Sequence, residues 1–596
     1  MRPALAVTTD VAQQFAAFFR EDSFRPYAWL LYRKLGEGHV CISTDQLCAN
    51  DESLPERYRS WVAEGRCSLE HPALVGSPAD TRKPFILHNN RLYLQRYFLY
   101  ESQCVARIHQ FLDEEQEQLP KRLAVLQTQK AFIQTLFEDS RSTAPDWQRA
   151  AAITAALHNF TIITGGPGTG KTTTVAKLLA LLYATQPDLR VALAAPTGKA
   201  AARMAESLRR AQFPEGLDTT RELFARLTPS TIHRLLGAKR HSPYFQHQAS
   251  QPLPYDVVIA DESSMIDVAL FAKLLQAIGP GTRLILLGDK DQLASVEAGS
   301  IFGDLCSALP EGNRFSADRC AFINSFIQTP HQQLPESAIG GTATHPLYQH
   351  VVGLQVSHRF RDDAGIGRFS KALIRNDAAT LQAFCTDIAD PQVIIDSDSG
   401  KEVFETFVSG YEAFIKEPDV SKALQLLGRQ RVLVATREGT RGLAEANVAI
   451  EQYLRRKGLL QPVFGAYENR PIILTRNYPE HGLFNGDTGI IRRDAGGVLR
   501  AWFEDASGEV RAVLPGYLQE AETAFAMTIH KSQGSEFEHV LVLLPDTEDM
   551  ALLTRELLYT AVTRARNKVY VQGVPDVILA AAARQVARAS GIHERF

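Results

Sequence analysis

The stretch FTIITGGPGTGKTTTVAKLLALL, residues 160–182, holds the densest chemistry in the chain. Phe160 to Thr164 is an apolar, β-branched run with the composition of a buried parallel strand. Gly165, Gly166, Pro167, Gly168, Thr169 and Gly170 follow, then Lys171, Thr172, Thr173 and a helix-forming segment. Strand, glycine loop and helix in that order match G-x-x-x-x-G-K-[ST] in the context that gives the motif meaning. Glycines let N–H groups turn toward phosphate oxygens with no Cβ in the way, and the helix N-terminus adds partial positive charge. Lys171 is placed to reach the β- and γ-phosphates, and the Thr172 hydroxyl to ligate Mg²⁺. A nucleoside triphosphate site is expected here.

Two further strand ends carry carboxylates. DVVIADESSMID, 256–267, ends a strand at Asp261 and Glu262. Asp261 suits Mg²⁺, directly or through water, and Glu262 is placed to polarise the water that attacks a γ-phosphate. LILLGDKDQL, 284–293, ends a strand at Gly288 and Asp289, with Gln292 beyond it as a candidate γ-phosphate sensor.

These turns need a scaffold. At 596 residues the chain is too long for one core, so three or four domains are expected. With 45% hydrophobic and 22% charged residues it has the composition of an ordinary globular protein, and no apolar run approaches a membrane span. The N-terminal residues lack the pattern of a signal peptide, so a cytoplasmic address is expected. Seven cysteines form no C-x-x-C pair and match no metal spacing, which predicts buried free thiols. The net charge of −3 argues against coating nucleic acid wholesale, while leaving room for a locally basic channel.

Along the chain, residues 1–115 predict a small α-rich N-terminal domain, and the Glu/Gln-rich stretch 116–140 a connecting helix. From 141, apolar strands alternate with helical patterns, the signature of βαβ units and a parallel sheet whose strand C-termini carry the ligand loops. A first α/β domain is expected over 141–352 and a second over 353–596. The alternation breaks at 309–350, a long loop or insertion, and at about 466–520. There VLRAWFEDASGEVRAVL predicts a hairpin turning at Asp505 to Gly508, hence a small β-domain inserted in the second α/β domain. The basic, aromatic-containing excursion 237–256 is a candidate for a small hairpin that splits a duplex, or else a loop filler.

The order of motifs resembles superfamily-one helicases over roughly residues 140–575. Gln148, in DWQRAAAITAA, stands where that family reads the adenine edge. APTGKAAARM (195–204) and TIHRLLG (231–237) resemble its strand-contacting segments, with Thr197, Lys199 and His233 as the contacts. LQVSHRF (354–360) resembles the motif that supplies an arginine, here Arg359. AMTIHKSQGSEF (526–537) and LLYTAVTRAR (557–566) resemble its last two motifs. They imply strand contacts at Thr528, His530 and Lys531, a nucleotide contact at Glu536 and a second arginine at Arg564. Hydroxyls, lysines and glycine N–H groups hold phosphates without reading bases, which fits sequence-tolerant strand contact.

Within the superfamily, SMID, GDKDQLASVEAGSIFGDL, PLPYD and TIHKSQGSEF are similar to the RecD family of RecBCD, exodeoxyribonuclease V. The resemblance implies two RecA-like P-loop motor domains, the second with an inserted SH3-like β-domain. It implies an ATP-driven 5′–3′ motor on single-stranded DNA at duplex ends, in a heterotrimer with RecB-like and RecC-like subunits. The short region ahead of the motor favours a complex subunit whose N-terminal domain docks on a partner, over a stand-alone helicase with helix-hairpin-helix units. Nuclease chemistry is expected on another subunit. A stand-alone repair helicase and a regulatory P-loop ATPase that does not translocate are the alternatives.

Overall fold

The computed structural model describes residues 10–596 except 81, 139–143, 212, 214–217, 240–241, 308–311, 341–344, 362, 387–388, 399, 464, 506–507, 548–549 and 587. The expected domain start at 141 and the middle of the expected turn at Asp505–Gly508 lie outside the described residues.

The run Phe160–Gly165 is buried along its whole length because it is an inner strand of a six-stranded parallel sheet. The spatial order is Val351–Leu354, Phe160–Gly165, Arg283–Gly288, Val257–Ala260, Val191–Ala195 and Ser230–Thr231. Alternate side chains enter two cores. Phe160 and Ile162 meet one core with the helix Val268–Ala277, and Ile163 meets another with the helices Trp147–Leu157 and Lys171–Thr185. Three glycine- or carboxylate-bearing turns follow the C-terminal ends of neighbouring strands in this sheet, which brings residues from distant parts of the chain to one edge.

A second sheet, also parallel, is ordered Val393–Asp396, Ala565–Gln572, Phe537–Leu543, Gln430–Val434 and Ala526–Thr528. Between its strands Gln430–Val434 and Ala526–Thr528 the chain leaves to build a five-stranded antiparallel sheet from Arg470–Leu474 to Ala521–Thr523. That sheet has its own core of Ile472, Leu474, Ile491, Ala501, Phe503 and Val513.

The N-terminal region is α-rich as expected. To its helices it adds a four-stranded sheet of Cys41–Ser43, Arg91–Leu94, Phe85–His88 and Val75–Gly76. Strands of two to four residues are too short to show a period in sequence. Its helix Gln95–Gln116 buries a stripe, Phe98, Cys104, Val105, Ile108, Phe111 and Leu112, within the core of the first parallel sheet. Phe111 stacks on Phe160 at 6.0 Å between ring centroids. The region expected to be a separate unit to residue 115 is therefore fused to the first α/β domain by this helix, and two helices, Leu119–Thr128 and Lys130–Leu136, occupy the expected single connecting helix. The first sheet keeps the chain through Leu354, two residues past the expected handover at 352.

Cysteine burial is also mixed. Cys41, Cys104, Cys306 and Cys320 are buried free thiols, Cys67 and Cys385 are half-buried, and Cys48 is exposed. Among the described residues one group of metal-ligand types closes up, Glu115, His158 and His350. Its contacts are hydrogen bonds: Glu115 Oε1 to His158 Nδ1 at 2.8 Å and to His350 Nε2 at 2.7 Å, with Arg319 on His158 Nε2 at 3.0 Å. This network ties the end of the long helix to the loops entering the inner strand Phe160–Gly165 and its edge neighbour Val351–Leu354. No helix among the described residues is long and apolar enough to cross a membrane.

The C-terminal residues do not stay with the second α/β domain. After the helix Pro575–Ala583 the chain runs back over the first: Arg588 donates to Ser295 Oγ and the Glu297 carbonyl, both at 3.2 Å. Further on, Val40 N donates to Ala589 O, and Arg91 pairs with Glu594 at 2.7 Å. Glu101 is fully buried in this junction, and burial raises its carboxyl to about 7, against the opposing pull of Arg595 and the Gly591 N–H. A folded-state pKa above the ordinary 4.5 means that the folded protein holds this proton more tightly than the unfolded chain does. The neutral carboxyl's contribution is complete below 4.5 and declines as pH rises to about 7. Glu101→Gln removes that titration. Its melting temperature is expected to match the wild type at about pH 5 and to exceed it at about pH 8, in thermal scans under matched buffers.

Candidate active site

The loop after Phe160–Gly165 turns through Gly168 (φ 80°) and Gly170 (φ 84°), left-handed conformations that need glycine. A Cβ at Gly170 would lie 2.2 Å from Gln148 Nε2, and one at Gly168 2.4 Å from Arg359 Cβ, so space as well as φ selects glycine here. Gly165 ends the strand, and Thr169 donates its hydroxyl to Gly166 O at 2.8 Å. Lys171 opens the following helix, its Nζ donating to Gly165 O at 2.5 Å and Gly166 O at 3.3 Å.

This loop forms one wall of a cleft of about 1000 Å³ between the two parallel-sheet domains. Gln148, Gly166, Pro167, Gly168, Gly170, Lys171, Thr172, Thr173, Asp261, Glu262 and Gln292 line it from the first domain. Arg359, Glu536 and Arg564 line it from the connecting segment and the second domain. Residues some 400 positions apart in sequence thus face one space.

Three local environments stand out. Asp261 is pushed up to about 6, first by burial and then by the neighbouring Glu262, with Lys171 opposing. Glu262 itself sits at φ 52°, a left-handed conformation that is strained in a non-glycine residue and that aims its side chain. A hydroxyl at Thr172 and desolvated carboxylates that repel each other form an oxygen donor set suited to a hard divalent cation.

A second environment crosses the cleft. Gln292 donates through Nε2 to Asp289 Oδ2 at 2.9 Å and accepts at Oε1 from Arg564 Nη2 at 2.6 Å. Tyr559 donates to the same Asp289 oxygen at 3.1 Å. Arg564 is 3% exposed, and its other donors reach Thr560 O and Ser535 O. Burial lowers its pKa, against the charges of Glu262, Glu536 and Asp289.

The third is Glu536. Oε1 meets Arg203 at 2.6 Å and Arg359 at 2.8 Å, while Oε2 meets Arg566 at 2.8 Å. Burial alone would raise this carboxyl, yet the guanidinium charges and hydrogen bonds hold it well below the ordinary range. The nucleotide contact expected of Glu536 is thus a carboxylate already committed to three arginines. Arg359 also keeps a buried Nη1 with no hydrogen-bond partner.

The residues expected to touch a strand lie outside this cleft. Thr197 caps the helix Gly198–Arg209 by accepting from Ala200 N at 3.2 Å, and its hydroxyl abuts Gly534. Lys199 does not stand on an open surface: burial pushes it down to about 7, with Arg431 and Arg203 adding repulsion and Asp487 of the inserted sheet opposing. Thr528 is buried and accepts from Lys531 N at 3.3 Å, and the Lys531 ammonium pairs with Glu522 at 2.9 Å. His530 is lowered by burial and by Arg588. His233 lies apart, exposed, edge-on to Phe245 of the 237–256 excursion at 5.7 Å. Sequence reasoning missed Arg203, Arg566, Tyr559 and His358. Arg203 and Arg566 stand inside quoted motifs, four residues after Lys199 and two after Arg564, but an isolated arginine gives no sign of its partner.

Fold and cleft define a P-loop nucleotide-binding protein built on two parallel-sheet domains. Comparison with known proteins narrows this. Family models described as an AAA domain, a UvrD-like helicase C-terminal domain, and the RecBCD enzyme subunit RecD N-terminal domain match residues 148–298, 523–572 and 7–93. RecBCD enzyme subunit RecD of Mycobacterium tuberculosis is 36% identical over 95% of this chain and 89% of that one. The Haemophilus influenzae protein of the same description is 33% identical over 88% and 82%. The ATP-dependent RecD2 DNA helicase of Deinococcus radiodurans is 30% identical over 74% of this chain but 51% of its own length. The chain belongs to the RecD family of RecBCD enzyme subunits.

The cleft itself yields one prediction. Gln292→Ala removes the side chain that joins Asp289 to Arg564, leaving Asp289 to Tyr559 and Arg564 to the Thr560 and Ser535 carbonyls. The variant is expected to melt lower, by the equivalent of about 1.5–3 kcal/mol, the size of a hydrogen bond to a charged group. Gln292→Glu keeps an acceptor for Arg564 but replaces the amide that donates to Asp289 with a second carboxylate, and is expected to melt lower than the wild type as well, in paired thermal and urea unfolding curves.

Proposed function

We propose that this chain is an ATP-dependent DNA helicase subunit that moves 5′ to 3′ on single-stranded DNA, within a heterotrimer with RecB-like and RecC-like subunits. The observation that carries the reading is a triphosphate-type loop facing two arginines contributed across the cleft, one of them with an unpaired buried donor.

In this reading the loop N–H groups and Lys171 hold the β- and γ-phosphates, and Lys171 exchanges its two loop carbonyls for phosphate oxygens. Gln148, whose Nε2 donates to Thr169 O at 3.1 Å, stands at the cleft edge beside the adenine. Thr172 and Asp261 would hold Mg²⁺, which supplies charge neutralisation on the phosphates. Glu262 takes the proton of the attacking water, and Gln292 orients that water while remaining bonded to Arg564. Arg359 turns its free Nη1 to the γ-phosphate, and Arg564 meets the charge that develops in the transition state. Because Arg564 and the loop belong to different domains and Arg359 lies on the segment that joins them, triphosphate favours a closed cleft and its loss an open one. Strand-facing turns at Thr197 and Thr528 lie on opposite domains, so opening and closing moves one grip past the other. The N-terminal domain, with its match to the RecD N-terminal family, is the docking unit for the partners.

The test is steady-state ATP hydrolysis with and without single-stranded oligonucleotides of unrelated sequence, on the chain alone and co-expressed with RecB-like and RecC-like chains. Hydrolysis is expected to depend on single strands regardless of sequence, to vanish in Lys171→Gln, and to slow about 10³-fold in Arg359→Ala or Arg564→Ala with ATP binding largely kept. Strand-independent hydrolysis would favour a regulatory ATPase, and failure to co-purify with the two chains would favour a stand-alone helicase.

A further inference from the structure

Arg203 lies four residues beyond Lys199, one turn along the helix Gly198–Arg209 that begins at the Thr197 cap. Its guanidinium leaves its own domain. Nη1 donates to the Gly534 carbonyl at 2.8 Å, and Nη2 lies 2.6 Å from Glu536 Oε1. A planar fork engaged at two acceptors fixes orientation as well as distance, which a single ammonium cannot do. The oxygen it reaches is the one that also holds Arg359 at 2.8 Å. The Glu536 side chain is 13% exposed, so these pairs are screened less than surface pairs.

Three guanidiniums share one carboxylate, but they arrive by different routes. Arg566 comes from the second domain, as Glu536 does, and Arg359 from the segment that joins the domains. Only Arg203 comes from the first domain, and it comes from the helix whose first turn carries Thr197 and Lys199. Gly534 and Glu536 in turn follow Thr528–Lys531 by a few residues, so the contact joins the strand-facing turns of both domains. A shift of the helix start when a strand binds is passed along a rigid rod to Glu536, and from there to Arg359.

We propose that Arg203 is a positioning residue that couples single-strand occupancy to ATP hydrolysis by holding Glu536 in the register that releases Arg359 toward the phosphates. The inference rests on the strand-driven ATPase reading above. It adds a residue and a direction of signalling: strand to helix start, helix to Glu536, Glu536 to Arg359.

The experiment measures kcat and KM for ATP on the full chain, with and without a dT oligonucleotide, for the wild type, Arg203→Ala, Arg203→Lys and Arg566→Ala. Arg203→Ala is expected to cut the ratio of strand-stimulated to unstimulated kcat by about tenfold or more, the size of an ordinary coupling between two sites, with the loss in kcat rather than in KM. Arg203→Lys recovers part of the ratio, because an ammonium reaches Glu536 but not both acceptors at once. Arg566→Ala removes a charge from the same carboxylate without cutting the link between domains, and keeps the ratio. A wild-type ratio in Arg203→Ala, or an equal loss in Arg566→Ala, overturns the proposal. Absence of stimulation in the wild type overturns the strand-driven reading and this inference together, and is told apart because it appears before any substitution.

Discussion

The cleft is organised by an imbalance of charge. Glu536 gathers Arg203, Arg359 and Arg566 about one carboxylate, and Arg564 is buried a short distance away on a glutamine. Four guanidiniums against this carboxylate and the acids of the opposite wall leave a space that favours an incoming polyanion. Coulomb energy in a partly desolvated cleft is several times its value in water, so the arrangement counts for more here than it would on a surface. In the proposed function a triphosphate relieves it by taking Arg359 and Lys171 from the oxygens they now hold. Much of the rest of the molecule can be understood as the means of bringing these groups to one place.

Two parallel sheets do this by topology. The first sheet offers the C-terminal ends of its strands, while the second brings Glu536 and Arg564 from just before the strands Phe537–Leu543 and Ala565–Gln572, so loops far apart in sequence meet at a common seam. The seam is bridged by polar contacts: Gln292 to Arg564, Tyr559 to Asp289, Arg203 to Gly534 O and Glu536, Leu293 N to the Thr560 hydroxyl at 3.0 Å, and Gln533 Nε2 to Leu293 O at 2.8 Å. The returning C-terminal residues tie the second domain to the first near Ser295 and Glu297 and then to the N-terminal region. The long helix Gln95–Gln116 fuses that same region to the first sheet. The N-terminal domain therefore touches both halves of the molecule.

Legibility in the sequence followed the physics of each element. The phosphate loop was readable because left-handed glycines, a buried strand and a helix start are all local requirements of one short stretch. The strand-end acids and the two α/β domains were readable for the same reason, since hydrophobic runs of five or six residues announce inner parallel strands. The N-terminal sheet was not, because strands of two to four residues leave no period, and Gln95–Gln116 gave no sign of which core its apolar stripe would enter. Within the cleft, Arg359 and Arg564 were found through motif order. Arg203 and Arg566 were overlooked although they lie in the same motifs, because their meaning resides in Glu536, more than 300 residues from Arg203. Lys199 shows the converse: its residue type and position pointed to a surface charge, and only the packing of the inserted sheet beside it reveals an ammonium lowered to about 7.

The central claim is that triphosphate joins the two domains across this cleft. The most direct test is the distance between them, read by double electron–electron resonance from spin labels at the exposed positions Asp188 and Lys401, with the exposed Cys48 replaced by serine. Adding ADP with aluminium fluoride and a dT oligonucleotide is expected to move the distance distribution to a distinct, narrower population, and Arg359→Ala to reduce that population. Identical distributions with and without the nucleotide, in a protein that still binds it, would contradict the account.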